Sequence, residues 1–241
     1  MADNVMTYRL VVKEIAFKHG VYASFMPKPI ANRNGSGMHI NMSLFRGERN
    51  AFFDATDRYH LSRTAKYFMA GVLKHIPEIT LVLNQWVNSY KRLVPGYEAP
   101  IYVTWAQRSR SDLIRIPMYK PKKEESARIE LRSPDPACNP YLAFSAILAA
   151  GLEGMQKKYG LPAPTDGNVL ALSGEKRRRR GIGQLPESLR EAIALAEGSA
   201  VLRRALGEHV YQSFLQNKKI EYDRFRKALT DYELKTYFPL L

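Results

Sequence analysis

Cysteine, acidic residues and long apolar runs are all scarce in this chain. Its 241 residues include one cysteine, Cys138, so no internal disulfide can form and the fold must rest on packing and polar contacts. That suits a reducing compartment, and the cytoplasm is the expected location. No stretch approaches the roughly 20 apolar residues that a membrane-spanning helix needs. The opening MADNVMTYRL has neither the basic start nor the apolar centre of a signal peptide. Acidic residues number 23 against 37 Lys and Arg, a formal charge of +14. Three explanations compete for that excess: a nucleic-acid partner, arginines gathered for small phosphorylated ligands, or acidic residues carried by polypeptide outside this chain. Hydrophobic residues, at 45%, suffice for a substantial core.

Periodicity places the elements. Asn4 to Lys18 carries Val5, Val11, Val12, Ile15 and Ala16 at near-helical spacing, with Gly20 positioned to end the helix. Val21 to Met26 reads as a short strand, stopped by Pro27, Pro29 and the turn NRNGSG. In Met38 to Phe45 the residues alternate, with Met38, Ile40, Met42 and Leu44 on one face and His39, Asn41 and Ser43 on the other. Ser62 caps a predicted helix that Pro77 should stop, and a second helix is expected from Glu78 to Tyr90. Strands are predicted over Ile101 to Gln107, Leu113 to Ile116 and ARIELR, where Arg128, Glu130 and Arg132 share a face. Asn139 and Pro140 open an apolar helix, and further helices are expected around Leu189 to Ala196 and Val201 to Lys218. The sum is an α+β fold on an antiparallel, curved sheet, read as one unit over 1–241, with the sheet and site in 1–160 and helices in 161–241.

Three constellations could carry chemistry. Gly35 and Gly37 around Ser36 suit either a tight turn or a loop whose backbone approaches a ligand closely. Arg92 precedes VPGYEAP, an irregular loop in which Glu98 is either a surface carboxylate or a working one. Arg108, Arg110, Arg115, Arg128 and Arg132, with Glu130 among them, form either a solvated charged face or a device for stabilising charge on transferring phosphate. The run Lys176 to Arg180 lacks interleaved aromatics and belongs to no nucleic-acid motif, which favours a solvated basic turn over a polyanion site.

Taken together, KPIANRNGSGMHINMS (Lys28 to Ser43), NSYKRLVPGYEAP (Asn88 to Pro100) and RIELR resemble the glutamine synthetases. The resemblance covers nearly all of this chain but only about the C-terminal half of that family. It implies ATP-dependent ligation of ammonia to glutamate through γ-glutamyl phosphate, with Mg²⁺ or Mn²⁺ and ATP required. By the same resemblance, Asn34, Gly35, Arg92 and Arg132 hold glutamate, Ser43, Arg110, Arg115 and Arg128 face the nucleotide, His39 and Glu130 bind a metal, and Glu98 and Arg110 are catalytic. The intact VPGYEAP loop favours ammonia over bulkier amines. The family's three-glutamate metal site and its N-terminal β-grasp domain would precede Asp3, so this chain alone is expected to be nearly inactive. The family's double-ring dodecamer makes a homo-oligomer the expected assembly. Thr104, Trp105, Ala106, Ser109 and Asp112 depart from the family pattern around the nucleotide pocket, and Leu170 stands where adenylylated members carry tyrosine, so no adenylylation is expected.

Overall fold

The computed structural model describes residues 1–107, 111–165, 167 and 169–241. Helix α1 (Ala2–Lys18) ends as expected, with Gly20 at φ 70°. None of its residues is buried, and its ties to the rest run through Arg9, which donates to the Cys138 carbonyl at 2.8 Å, and Tyr141, which donates to Asp3. Val21 to Met26 is extended but joins no ladder, contrary to the predicted strand, because no partner strand lies beside it among the described residues.

Helix α2 (Arg63–Leu83) begins at Ser62, whose hydroxyl accepts from the Ala65 amide at 3.1 Å. It runs through Pro77 instead of stopping there. An internal proline costs about 3 kcal/mol, but Ile79, Leu81, Val82 and Leu83 beyond it are all fully buried, and each such side chain contributes about 2 kcal/mol. Packing outweighs the lost hydrogen bond, so the expected helix from Glu78 to Tyr90 becomes the end of α2 followed by the short α3 (Val87–Arg92).

Helix α4 (Pro140–Lys157) is capped by the Asn139 side chain, which accepts from Tyr141 and Leu142 amides. It crosses α2 backbone to backbone. A methyl group on Gly154 would strike the Tyr67 carbonyl and one on Gly71 the Ala150 carbonyl. A polar knot closes the crossing. Glu153, almost fully buried, accepts from Lys157 and Tyr159 at 2.9 Å each and from Arg204, while His75 of α2 approaches it at 3.3 Å and pairs with Glu78. Burial alone would raise the Glu153 pKa, but the hydrogen bonds from Lys157, Tyr159 and Arg204 prevail and hold it at about 2. Cys138 is buried, and that burial, with Asp135 near it, pushes its thiol up to about 12.

The main sheet has four short strands, β1 (Ile40–Met42), β4 (Trp105–Ala106), β5 (Ile114–Arg115) and β6 (Ile129–Leu131), in the order β1-β6-β5-β4. A separate hairpin joins β2 (Phe45–Arg46) to β3 (Arg49–Asn50). The β1–β6 and β5–β6 pairs are antiparallel, as expected, whereas β4 and β5 run parallel. Ile114, Ile129 and Leu131 point into the core and are fully buried, with Ile40 and Met42 packed against it. The charged run at 176–180 forms α5 (Gly174–Arg179), in which Arg177 lies 4.4 Å over the Tyr102 ring and Arg179 pairs with Glu175. Helices α6 (Leu189–Glu197) and α7 (Ala200–Leu206) follow, and Gly207 at φ 73° breaks the expected Val201 to Lys218 helix into α7 and α8 (Glu208–Lys227). A terminal α9 (Asp231–Tyr237), unanticipated from periodicity, starts at a capping box between Thr230 and Glu233.

Replacing Gly154 with Ala should lower stability by about 2 kcal/mol, measured by urea denaturation, whereas the same change at the open Gly160 should not lower it. Because the folded state depresses the Glu153 pKa, its contribution is complete above the ordinary carboxylate value near 4.5 and is lost as pH falls toward about 2. Glu153→Gln should therefore destabilise the protein at neutral pH and flatten that acid limb of the stability curve.

Candidate functional site

The alternation read in two segments, together with the strand predicted over Leu113 to Ile116, converges on one polar face. Register sets Asn41 opposite Glu130 and Glu130 opposite Arg115. With a period of two, His39 and Ser43 flank Asn41, and Arg128 and Arg132 flank Glu130, all on the side away from the core. The face is far less solvated than alternating charge would suggest. Glu130 is 3% exposed and Arg132 6%.

Glu130 organises this surface. Its Oε2 accepts from Arg115 Nε at 2.6 Å, its Oε1 accepts from Arg132 Nη1 at 2.9 Å, and His39 Nδ1 stands 3.0 Å from Oε1. Burial lowers the His39 pKa, the Arg132 charge lowers it further, and Glu130 opposes both. The imidazole is therefore neutral at pH 7 and able to donate a lone pair. On the neighbouring position Arg128 donates from Nε to Asn41 Oδ1 at 2.9 Å and from Nη1 to the Ser126 carbonyl at 3.1 Å.

A cavity of about 160 Å³ opens beside this cluster, lined by Asn34, Gly35, Gly37, His39, Arg92, Glu98, Ala99 and Arg132. Its floor depends on the glycines. A methyl group on Gly37 would sit 2.5 Å from Arg92 Nη2, and one on Gly35 would strike the Pro27 carbonyl. Arg92 is buried and donates to the carbonyls of Ser133 at 2.6 Å and Arg132 at 3.1 Å. Burial lowers its pKa to about 10, which leaves it charged at neutral pH. Arg132 retains an Nε that is buried and, among the described residues, without a partner. A buried donor with no acceptor is costly, by about 1–3 kcal/mol, while the Arg132 side chain, where it lines the cavity, presents positive charge to a carboxylate there.

The structure thus brings six of the sequence-predicted residues, Asn34, Gly35, His39, Arg92, Glu98 and Arg132, to one cavity, with Glu130 and Arg115 directly behind it. Ser43 and Arg128 lie on the same sheet face but do not line it. Arg110 and Arg108 fall outside the described residues. Asn41, not singled out earlier as a site residue, fixes Arg128, and the signal for it was its place on the polar face of the His39 strand. Mg²⁺ takes about six ligands, mostly oxygen. His39 and Glu130 offer two donors, Glu130 is already shared with two arginines, and no group of three or more His, Cys, Asp or Glu suited to a metal exists among the described residues. That pair alone does not fit a complete metal site.

If Glu130 supports the His39 proton while Arg132 opposes it, NMR should show His39 titrating below 6.5, and Glu130→Gln should move it lower still. An upward shift in that variant would contradict the assignment.

Comparison with known proteins places the chain in a family. The family model described as glutamine synthetase, catalytic domain, matches residues 1–237. Glutamine synthetase of Mycolicibacterium smegmatis is 53% identical over 240 residues, covering 100% of this chain and 54% of the relative. That of Thermotoga maritima is 48% identical over 239 residues, covering 99% and 54%. Among solved structures, a GmaS/ADP complex superposes with a TM-score of 0.86 at 33% identity, covering 99% of this chain and 54% of that one. Plasmodium falciparum glutamine synthetase gives 0.85 at 28%, covering 98% and 53%. The chain spans about half the length of the relatives it matches, and it belongs to the glutamine synthetase catalytic-domain family.

Proposed function

We propose that the cavity holds glutamate and that the chain forms one wall of an ATP-dependent glutamate–ammonia ligase. The observation that carries this reading is the pair of arginines, Arg92 and Arg132, at a cavity lined also by Asn34, Gly35, Gly37, His39, Glu98 and Ala99. Such a donor set recognises a carboxylate through charge-assisted hydrogen bonds. Arg92 adds positive charge and, by gripping the carbonyls of residues 132–134, holds the Arg132 backbone in place.

In the proposed reaction the side-chain carboxylate of glutamate attacks the γ-phosphorus of ATP, releasing ADP and leaving γ-glutamyl phosphate. Ammonia then attacks the acyl carbon, phosphate leaves, and the proton that the new amide must lose passes to Glu98. Arg115 and Arg128, with Arg110, would stabilise charge on the phosphoryl oxygens, and Ser43 would lie along the nucleotide. Phosphoryl transfer also uses Mg²⁺ or Mn²⁺, toward which His39 and Glu130 would contribute two donors of a larger set. The complete protein is proposed to be a homo-oligomer, dodecameric as in the family it resembles, with ammonia, ATP and glutamate as its substrates. The basic α5 is given a structural role and nucleic acid none, because Arg177 and Arg179 are engaged within the chain.

Calorimetric titration with L-glutamate tests the reading. The wild-type chain should bind saturably, and Arg132→Gln should weaken binding by about a hundredfold, the equivalent of roughly 3 kcal/mol for a charged hydrogen-bonding partner. Undiminished binding in that variant would refute the assignment. In the complete enzyme, Glu98→Ala should impair glutamine formation far more than ATP binding. The purified chain alone should make glutamine at a small fraction of the full enzyme's rate, because a phosphoryl-transfer site without its full metal set loses much of its electrostatic stabilisation.

A further inference from the structure

Glu98 lines the cavity, yet its side chain has no hydrogen bond or ion pair among the described residues. Its position is therefore set by its neighbours in the loop 93–100, and above all by Tyr97. That tyrosine is held from two sides by the glycine-rich segment. The Lys28 ammonium sits 3.3 Å from the centre of the Tyr97 ring, and the Tyr97 hydroxyl donates to the Ala31 carbonyl at 3.2 Å.

Lys28 is unusual for a lysine in being only 8% exposed. Among the described residues it has no carboxylate partner, and its ammonium is served by the aromatic face and by the Arg33 carbonyl. A desolvated ammonium over an aromatic ring is held more firmly than one in water. Its backbone is fastened independently. The Lys28 amide donates to Asn88 Oδ1 at 2.7 Å, and Asn88 Nδ2 returns a hydrogen bond to the Lys28 carbonyl at 3.0 Å. The lysine thus stands on α3 as a fixed post, and the loop carrying Glu98 leans on it. Gly96, at φ 92°, supplies the bend that lets the loop turn back toward that post.

We propose that Lys28 and Tyr97 form a latch between the glycine-rich loop and the loop 93–100, and that both are positioning residues which hold Glu98 at the cavity rim. The latch rests on the reading of the cavity as the glutamate site, since holding Glu98 in place matters only if a ligand lies beneath it. Neither residue need touch the reacting atoms. Their effect passes through the backbone of 96–98.

Two readouts on the intact chain separate the latch from the binding assignment. Amide hydrogen exchange over 94–99 reports loop fixation without any ligand, and titration with L-glutamate reports the site. Lys28→Met and Tyr97→Leu should each speed exchange over 94–99 about tenfold and weaken glutamate binding by a similar factor, with the thermal midpoint little changed. The double variant should be no worse than Tyr97→Leu alone, which already removes the ring beneath Lys28 and the hydroxyl bond to Ala31. Lys28→Arg and Tyr97→Phe, which keep a cation and a ring, should stay within about threefold of wild type. Unchanged exchange in Tyr97→Leu, or additive losses in the double variant, would overturn the latch. Should Lys28→Met fail to fold, Tyr97→Leu on the surface loop still decides. If the wild-type chain bound no glutamate while the exchange pattern came out as stated, the functional reading would fall and the latch would stand.

Discussion

The buried carboxylate of Glu130 is the interaction on which the site depends. Two arginines and a histidine, Arg115, Arg132 and His39, from three different segments converge on its two oxygens. Taking one carboxylate out of water costs several kcal/mol, and the partners repay this only when geometry is good and both oxygens are satisfied. Here both are. Without Glu130 the buried Arg132 guanidinium and that of Arg115, 34% exposed, would lose the carboxylate between them, and repulsion would weaken the pairing of their strands. The core side of the same strands, with Ile114, Ile129 and Leu131 fully buried, supplies the apolar packing that keeps the charged side in register.

From Glu130 the order spreads outward. Arg132 is oriented by it at the cavity wall, and Arg92 grips the backbone that follows Arg132. Arg92 is in turn backed by Asp135, whose pKa burial raises, while hydrogen bonds from Ser89 and Asn84 and the Arg92 charge favour its ionised form. Gly35 and Gly37 permit the loop above to lie directly on Arg92. The excess of basic residues that marks the composition is partly accounted for by this construction, in which several arginines share few carboxylates. On α5, Arg177 is tied to Tyr102 and the Leu172 carbonyl, and Arg179 to Glu175.

Much of this was legible from the residues. The period of two in MHINMS and RIELR located both strands and the face that carries His39 and Glu130, because alternation is enforced by the geometry of any strand. The cap residues Ser62 and Asn139 marked their helices, since each satisfies amides that would otherwise be orphaned. Pro77 misled because a local cost was overruled by apolar packing visible only in three dimensions. Val21 to Met26 has the composition of a strand, but strand formation needs a neighbour, and no local pattern reports whether one is present. The depth at which RIELR is buried was equally hidden, because alternating charge looks the same on a wet face and on a sequestered one. The pairing of β4 with β5 in parallel likewise depends on how the chain returns between them, which periodicity does not encode.

The central claim is that the Arg132 guanidinium binds a carboxylate in the cavity. The most direct measurement is the ¹⁵N–¹H resonance of its Nε in the intact chain during titration with L-glutamate. A saturable downfield shift of the Arg132 Nε proton, with the side-chain resonances of Arg178 and Arg180 unmoved, is the predicted result. A stationary Arg132 signal, or a shift confined to the basic residues of α5, would contradict the account.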